Sequence, residues 1–327
     1  MPLAQIIGTG SYAPAQVLTN RDLEKIVDTS DAWITERTGI RERRKAAPGE
    51  ATSDMAVAAA RKALEMAGTR PEELDLIVVG TITPDMPMPS CAVLVQAKLG
   101  AKKAFAFDVA AACAGSVYAL SVADQFMRTG QAKRALVIGA DLFTSVLNWK
   151  DRNTCVLFGD GAGAMVLAPA EEEGRGILST RLRTDGTLAD ILTIPAGGSK
   201  EPLTEEILRE QRHKVSMNGR EVFKTAVREL TAITHEALQA HGLKPNQVDH
   251  VIAHQANLRI LEAVLQRVEI PIEKCWINLD KYGNTSAASV PIALDEVNRA
   301  GKLKRGDLIA MMAVGAGMTW GSAVVRW

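Results

Sequence analysis

FAFDVAAACAGSVYALSVADQF, running from Phe105 to Phe126, is the stretch whose reading decides the fold. It opens as an apolar run and passes through a string of tiny residues with Cys113 in their midst. It then sets Val117, Leu120, Ala123 and Phe126 at helical spacing. That order predicts a strand, a tight turn and a helix, with Cys113 at the turn. Unpaired N–H groups and the dipole of the helix N-terminus favour a thiolate at such a place. The small neighbours Ala110, Ala111, Ala112, Ala114, Gly115 and Ser116 leave room for another backbone or a ligand to approach. A free cysteine is more often a small buried hydrophobe, so the rest of the chain decides between the two readings.

The chain has 327 residues, enough for one large or two medium domains. Lys plus Arg and Asp plus Glu are equal at 38 each, so no charge excess marks nucleic acid or a membrane surface as partner. Aromatics at 4% argue against stacking platforms for single strands. Cys91, Cys113, Cys155 and Cys275 are scattered without a CxxC pair, which predicts neither a metal site nor a disulfide framework. No apolar run reaches the roughly eighteen residues of a membrane span, and MPLAQIIGTG lacks a secretory h-region. A soluble protein of a reducing compartment, the cytoplasm, is expected.

An internal repeat sets the architecture. ALEMAGTRPEELD (Ala63 to Asp75) aligns with ALQAHGLKPNQVD (Ala237 to Asp249) at an offset of 174. Asp124, Arg128, Gly130, Lys133 and Arg134 recur as Asp295, Arg299, Gly301, Lys304 and Arg305 at an offset of 171. Apolar strands follow in both copies. The chain therefore reads as a duplicated α/β unit with a pseudo-twofold, with halves 1–172 and 173–327, and not as a solenoid or propeller. The charged stretch PAEEEGRG marks the boundary.

The repeat also points to the chemistry. Adding 171 to 113 puts Asn284, in KYGNTSAASVPIAL, at the place of Cys113 in the other half; His254 follows the strand DHVIA and matches Gly80 at 174. Cys113, His254 and Asn284 are thus expected to converge where strands end, the usual ligand crevice of α/β proteins. Near the N-terminus, Asn20 and Ser30 are helix-capping candidates. The run Glu36 to Arg44 reads either as a solvated loop or, with Trp33 and Arg37, as a cradle for an anionic nucleotide.

AACAG around Cys113, HQANLRI from His254 and YGNTSAAS around Asn284 resemble the three signatures of the β-ketoacyl-acyl carrier protein synthase III family, on the thiolase fold. WITERTGIRERR, FGDGAGA and GAGMTWGSA fit as well, so the resemblance spans nearly the whole chain. It implies a five-layered αβαβα architecture and a homodimer. It also implies a decarboxylative condensation of an acyl-CoA primer with malonyl-acyl carrier protein, with acyl-CoA as substrate and no resident cofactor. Cys113 would carry the acyl group, and His254 and Asn284 would donate hydrogen bonds to the malonyl thioester oxygen. The N–H groups of Cys113 and Ala316 would form the oxyanion hole. By the same resemblance Trp33, Arg37 and Arg152 would hold the CoA nucleotide and Asn257 the pantetheine arm. Lys224 and Arg259 would dock the carrier protein, and Met88, contributed across the dimer, and Val314 would border the acyl pocket.

Three positions depart from the family pattern. Ala316 stands where many relatives have glycine, which a backbone donor tolerates if its φ is negative. Val314 replaces a common phenylalanine, and Met88 a bulky aromatic; both changes suit a longer or branched primer. The rival readings are a pathway-specific condensing enzyme of polyketide type, a non-catalytic acyl-binding scaffold and a cysteine hydrolase.

Overall fold

Runs rich in Val, Ile and Ala build two sheets, one in each half. The computed structural model describes residues 3–327. In the first half β1 (Ala4–Tyr12), β2 (Leu76–Gly80), β3 (Phe105–Val109), β4 (Ala135–Asp141) and β5 (Gly161–Pro169) form a sheet in the order β1-β5-β4-β2-β3. In the second, β6 (Gly176–Thr184), β7 (His250–Ala253), β8 (Leu308–Gly315) and β9 (Thr319–Arg326) run β7-β8-β9-β6. The two orders coincide when β2 is laid on β7 and β4 on β8. A lone parallel bridge between Val251 and Cys275 takes the place that β3 holds in the other half. Leu76 pairs with Ala135 and His250 with Ile309, so the register itself repeats at 174. Strands β2 and β4 are parallel and wholly buried, which is why they read as unbroken apolar runs instead of alternating ones.

Seven helices matter for the layers: α1 (Asp31–Thr38), α2 (Thr52–Ala67), α3 (Cys91–Leu99), α4 (Gly115–Arg128), α5 (Gly219–Gln239), α6 (Leu258–Val268) and α7 (Ser289–Arg299). Helices α2 and α3 cover the outer face of the first sheet, and α5 and α6 that of the second. Helices α4 and α7 lie between the sheets in a shared apolar cluster. The result is five layers, αβαβα, as the thiolase fold requires. Of the two capping candidates, Ser30 caps α1 by accepting the Trp33 N–H at 3.1 Å. Asn20 lies just after its cap, Thr19, and is buried, donating to Asp31 and to the Ile40 carbonyl.

The repeated Asp–Arg pairs turn out to be reciprocal clamps. Arg128 Nε donates to Asp124 at 2.7 Å while its Nη2 reaches across to the Ile177 carbonyl on β6 at 2.7 Å. Arg299 Nε donates to Asp295 at 2.8 Å and its Nη2 to the Thr9 carbonyl on β1 at 3.1 Å. Asp295 also accepts from Thr9 Oγ1 at 2.8 Å and Ser11 Oγ at 2.6 Å, whereas Asp124 Oδ1 has no partner among the described residues. Removing a buried, fully bonded carboxylate strands its donors. Asp295→Ala is therefore expected to lower unfolding stability by about 3 kcal/mol, and Asp124→Ala by less, measured by urea denaturation.

The structure corrects one alignment. Helix α4 has 14 residues and α7 only 11, so the offset changes from 174 to 171 inside the helices. The turns before them match at 174: Ala112 has φ +44 and Ser286 φ +52. Ala287, not Asn284, is thus the conformational counterpart of Cys113, and Asn284 stands three residues upstream. The Arg-rich run is also more ordered than a solvated loop, for Glu42–Lys45 is a strand. Arg43 in it is fully buried, donating to Asn20 Oδ1, Leu18 O and Val156 O. Burial pushes its guanidinium down to about 10.

Candidate active site

Cys113 sits in a one-turn 3₁₀ segment, Ala112–Ala114, that leads into α4. The turn is wedged between the ends of β2 and β8. A Cβ on Gly315 would lie 2.7 Å from the Cys113 nitrogen, and one on Gly80 2.4 Å from the Gly115 carbonyl carbon. Only glycine lets these strand ends touch the turn. Cys113 is 3% exposed.

His254 follows β7, its N–H continuing the ladder to the Met312 carbonyl at 2.8 Å. Its Nδ1 lies 2.6 Å from Ser289 Oγ, and that hydroxyl donates onward to the Ser286 carbonyl at 2.9 Å. A hydroxyl has one proton. Ser289 Oγ must therefore accept from His254, which puts the imidazole proton on Nδ1 and leaves Nε2 a lone pair. Asn284 is oriented by the same logic. Its Oδ1 accepts the Ser286 N–H at 2.8 Å, so Nδ2 is the end free to donate into the cavity it lines.

Electrostatics set the protonation states. Burial pushes the Cys113 thiol up to about 12, with the Asp141 carboxylate adding to the rise; Ser286 and the cysteine's own N–H pull the other way. Burial pushes His254 down to about 3. The pair is thus a neutral thiol and a neutral imidazole. The thiolate expected from the helix N-terminus is not present, because desolvation outweighs a dipole that acts through an intervening 3₁₀ turn.

Two cavities meet at Cys113. The first, about 140 Å³, is lined by Cys113, His254, Asn284, Asn257, Phe223 and Val314 among others. The second, about 370 Å³, takes in the backbone of 110–112, Ile82, Phe143, Leu192, Ile194, Ala316 and Gly317. Ala316 is not among the residues with positive φ, so alanine is accommodated there. Val314 borders the first cavity and not the second. Met88 lines neither: it is 84% exposed on the loop before α3. Within one chain, then, the expected acyl-pocket pair does not frame the apolar cavity.

A third cavity, about 640 Å³, adjoins the first and is lined by Trp33, Arg37, Asn257 and Arg259. The guanidinium carbons of Arg37 and Arg152 lie 4.8 and 4.9 Å from the Trp33 ring centre. Asn257 caps α6 through the Arg259 N–H and donates to the Arg37 carbonyl at 3.0 Å. Lys224 is not brought into this mouth by the cavity linings; it pairs with Glu221 at 2.8 Å on the surface.

Comparison with known proteins decides the family. Models for 3-oxoacyl-[acyl-carrier-protein (ACP)] synthase III and for its C terminal part match residues 107–186 and 238–327. The β-ketoacyl-[acyl-carrier-protein] synthase III of Caldanaerobacter subterraneus is 54% identical over 99% of this chain and 98% of its own length. The chain belongs to the β-ketoacyl-[acyl-carrier-protein] synthase III family. Among solved structures, the family member from Aquifex aeolicus superposes with a TM-score of 0.92 at 51% identity, covering 99% of this chain and all of that one. A priming β-ketosynthase of the R1128 polyketide pathway has the same TM-score at 35% identity, covering 99% and 96%.

Sequence reasoning missed the residues behind the family triad: Ser286, Ser289 and Asp141. Ser286 and Ser289 lie inside the quoted YGNTSAAS motif, but nothing in a run of small residues says which hydroxyl faces which neighbour.

Proposed function

We infer that this chain catalyses the decarboxylative condensation of an acyl-CoA with malonyl-acyl carrier protein, giving a 3-ketoacyl-acyl carrier protein and initiating fatty acid synthesis. The observation that carries this reading is the meeting of two cavities at the Cys113 sulfur, with a neutral histidine and a donor-oriented asparagine on one side only. His254 Nε2, holding a lone pair, takes the thiol proton as Cys113 attacks the acyl-CoA carbonyl, and returns it to the departing CoA sulfur. The N–H groups of Cys113 and Ala316 receive the oxyanion. The acyl chain occupies the apolar second cavity, whose size suits a primer larger than acetyl.

Malonyl thioester then enters through the first cavity. Asn284 Nδ2 donates to its carbonyl oxygen and stabilises the enolate that forms as carbon dioxide leaves. His254 adds a second donor only once Nε2 is protonated, which the growing negative charge favours. The enolate carbon attacks the acyl-Cys113 carbonyl, and the sulfur leaves.

Trp33, Arg37 and Arg152 form the seat for the CoA nucleotide, Asn257 flanks the pantetheine, and Arg259 and Lys224 meet the acidic carrier. Substrate and product are the only small molecules the reaction needs. A cytoplasmic homodimer fits the chain: among the described residues no helix is long and apolar enough to cross a membrane. Met86, Met88, Val93 and Phe105 are exposed apolar side chains near the open edge of β3. In such a dimer Met88 would close the partner's apolar cavity.

Intact-mass measurement after mixing with a panel of acyl-CoAs tests the reading. One acyl group per chain is expected on the Cys113 peptide, absent in Cys113→Ala and discharged by malonyl-acyl carrier protein. No adduct from any acyl-CoA would overturn it. Labelling confined to bulky chains would favour the polyketide-type relative instead.

A further inference from the structure

Ser286 stands directly behind the reactive side chains without lining either cavity. It is wholly buried and held at φ +52, a conformation that a residue with a Cβ adopts only under constraint. Each of its polar groups leads to a different member of the site. Its N–H fixes Asn284 Oδ1 at 2.8 Å, and its carbonyl accepts from the Ser289 hydroxyl that orients His254. Its hydroxyl faces both the Cys113 sulfur and the Asp141 carboxylate, yet is aligned for a hydrogen bond with neither.

Asp141 is the second half of the arrangement. It is fully buried at the end of β4. Its Oδ1 accepts from Thr81 Oγ1, Ile82 N and Thr83 Oγ1 at 2.9–3.0 Å. Its Oδ2 holds the Ala287 N–H at 3.3 Å and has lone-pair capacity to spare. A buried hydroxyl between a carboxylate and a sulfur is a two-position donor.

We propose that Ser286 is the positioning residue of the nucleophile: its hydroxyl donates to Asp141 while the sulfur is a thiol or thioester, and turns to the sulfur when Cys113 is a thiolate. This rests on Cys113 being the nucleophile of the proposed reaction. In the acyl transfer the Cys113 S–H and CoA S–C bonds break, a Cys113 S–C bond forms, and the proton ends on the CoA sulfur. Ser286 keeps its own proton throughout. The titratable groups facing Cys113 are Asp141 from β4 and His254 after β7. Asn284 is neutral, the first turn of α4 carries no acid, and β8 presents Val314 and Gly315.

Ser286→Gly isolates the hydroxyl, because glycine adopts φ +52 freely and keeps the N–H and carbonyl bonds. The readout is the rate of Cys113 alkylation by iodoacetamide across pH, followed by peptide mass, alongside the thermal midpoint. Alkylation about tenfold slower at each pH below the thiol midpoint is expected, because the thiolate loses a hydrogen bond that favours its charged form. Asp141→Asn removes the facing charge and is expected to speed alkylation. A folded Ser286→Gly that alkylates at the wild-type rate overturns the proposal. Should the variant not fold, structures of the native chain with Cys113 free and acylated decide. Ser286 Oγ is expected about 3 Å from Asp141 Oδ2 in the acylated form, and an unchanged hydroxyl orientation in both overturns the idea. Alkylation uses neither acyl-CoA nor carrier protein, so its outcome stays readable even if the condensation reading fails.

Discussion

Asn284→Asp is expected to slow decarboxylation of the malonyl thioester by about a hundredfold or more, while acyl-CoA still labels Cys113 at close to the wild-type rate. The reasoning starts from the orientation of the amide. Its oxygen is committed to the Ser286 N–H at 2.8 Å, so the amide nitrogen is the group the substrate meets. Aspartate keeps an oxygen for that N–H and removes the donor, replacing it with a charge that opposes an enolate. Asn284→Ala removes both, and is expected to lose some acylation as well because the Ser286 turn is left unpaired. Carbon dioxide release from malonyl-acyl carrier protein, measured beside acyl-CoA labelling by mass, separates the two half-reactions. Equal losses in both for the aspartate variant would place Asn284 in structure and not in the second half-reaction.

Acidification should destabilise the fold through His254. Its ordinary value is 6.5 and burial holds it at about 3, so the unfolded chain binds the proton first as pH falls. A group depressed on folding contributes stability that is complete above its unfolded value and is lost as pH drops towards its folded one. The window is therefore pH 6.5 down to about 3, and at about 1.4 kcal/mol for each pH step of one the loss amounts to several kcal/mol. Asp108, Asp124, Asp141 and Asp160 are pushed up by burial and act in the opposite sense, since their folded forms take up protons readily. The informative quantity is thus a difference. The thermal midpoint of His254→Gln should fall less steeply than that of the wild type across this window. Parallel curves would show that His254 is not the neutral, buried imidazole described here.

Much of this was legible in the sequence because the repeat is a matter of spacing. The shared intervals from Ala63 and Ala237 foretold matching strands, and the structure repeats even their register. The repeated Asp–Arg pairs were visible as well, but not that each arginine reaches into the opposite half. What a uniform offset concealed was the extra turn of α4, which shifts the counterpart of Cys113 from Asn284 to Ala287. Protonation was the other blind spot. Position at a helix start argues for a thiolate, but the desolvation that reverses it comes from residues far apart in the chain. Arg43 is a similar case, since an arginine among arginines gives no sign of being the buried one.

The two clamps from Arg128 to β6 and from Arg299 to β1 have a consequence for traffic through the protein. Parting the sheets would break both at once and wet the apolar layer between them, so the seam that carries Cys113 behaves as a rigid keel. Movement of substrates past it falls to the outer covering. The ribbon made of Leu192–Thr193 and Ser216–Met217 roofs both cavities while resting on the body of the molecule through few strand contacts. The catalytic seam stays fixed, and the doors are hung on its outside.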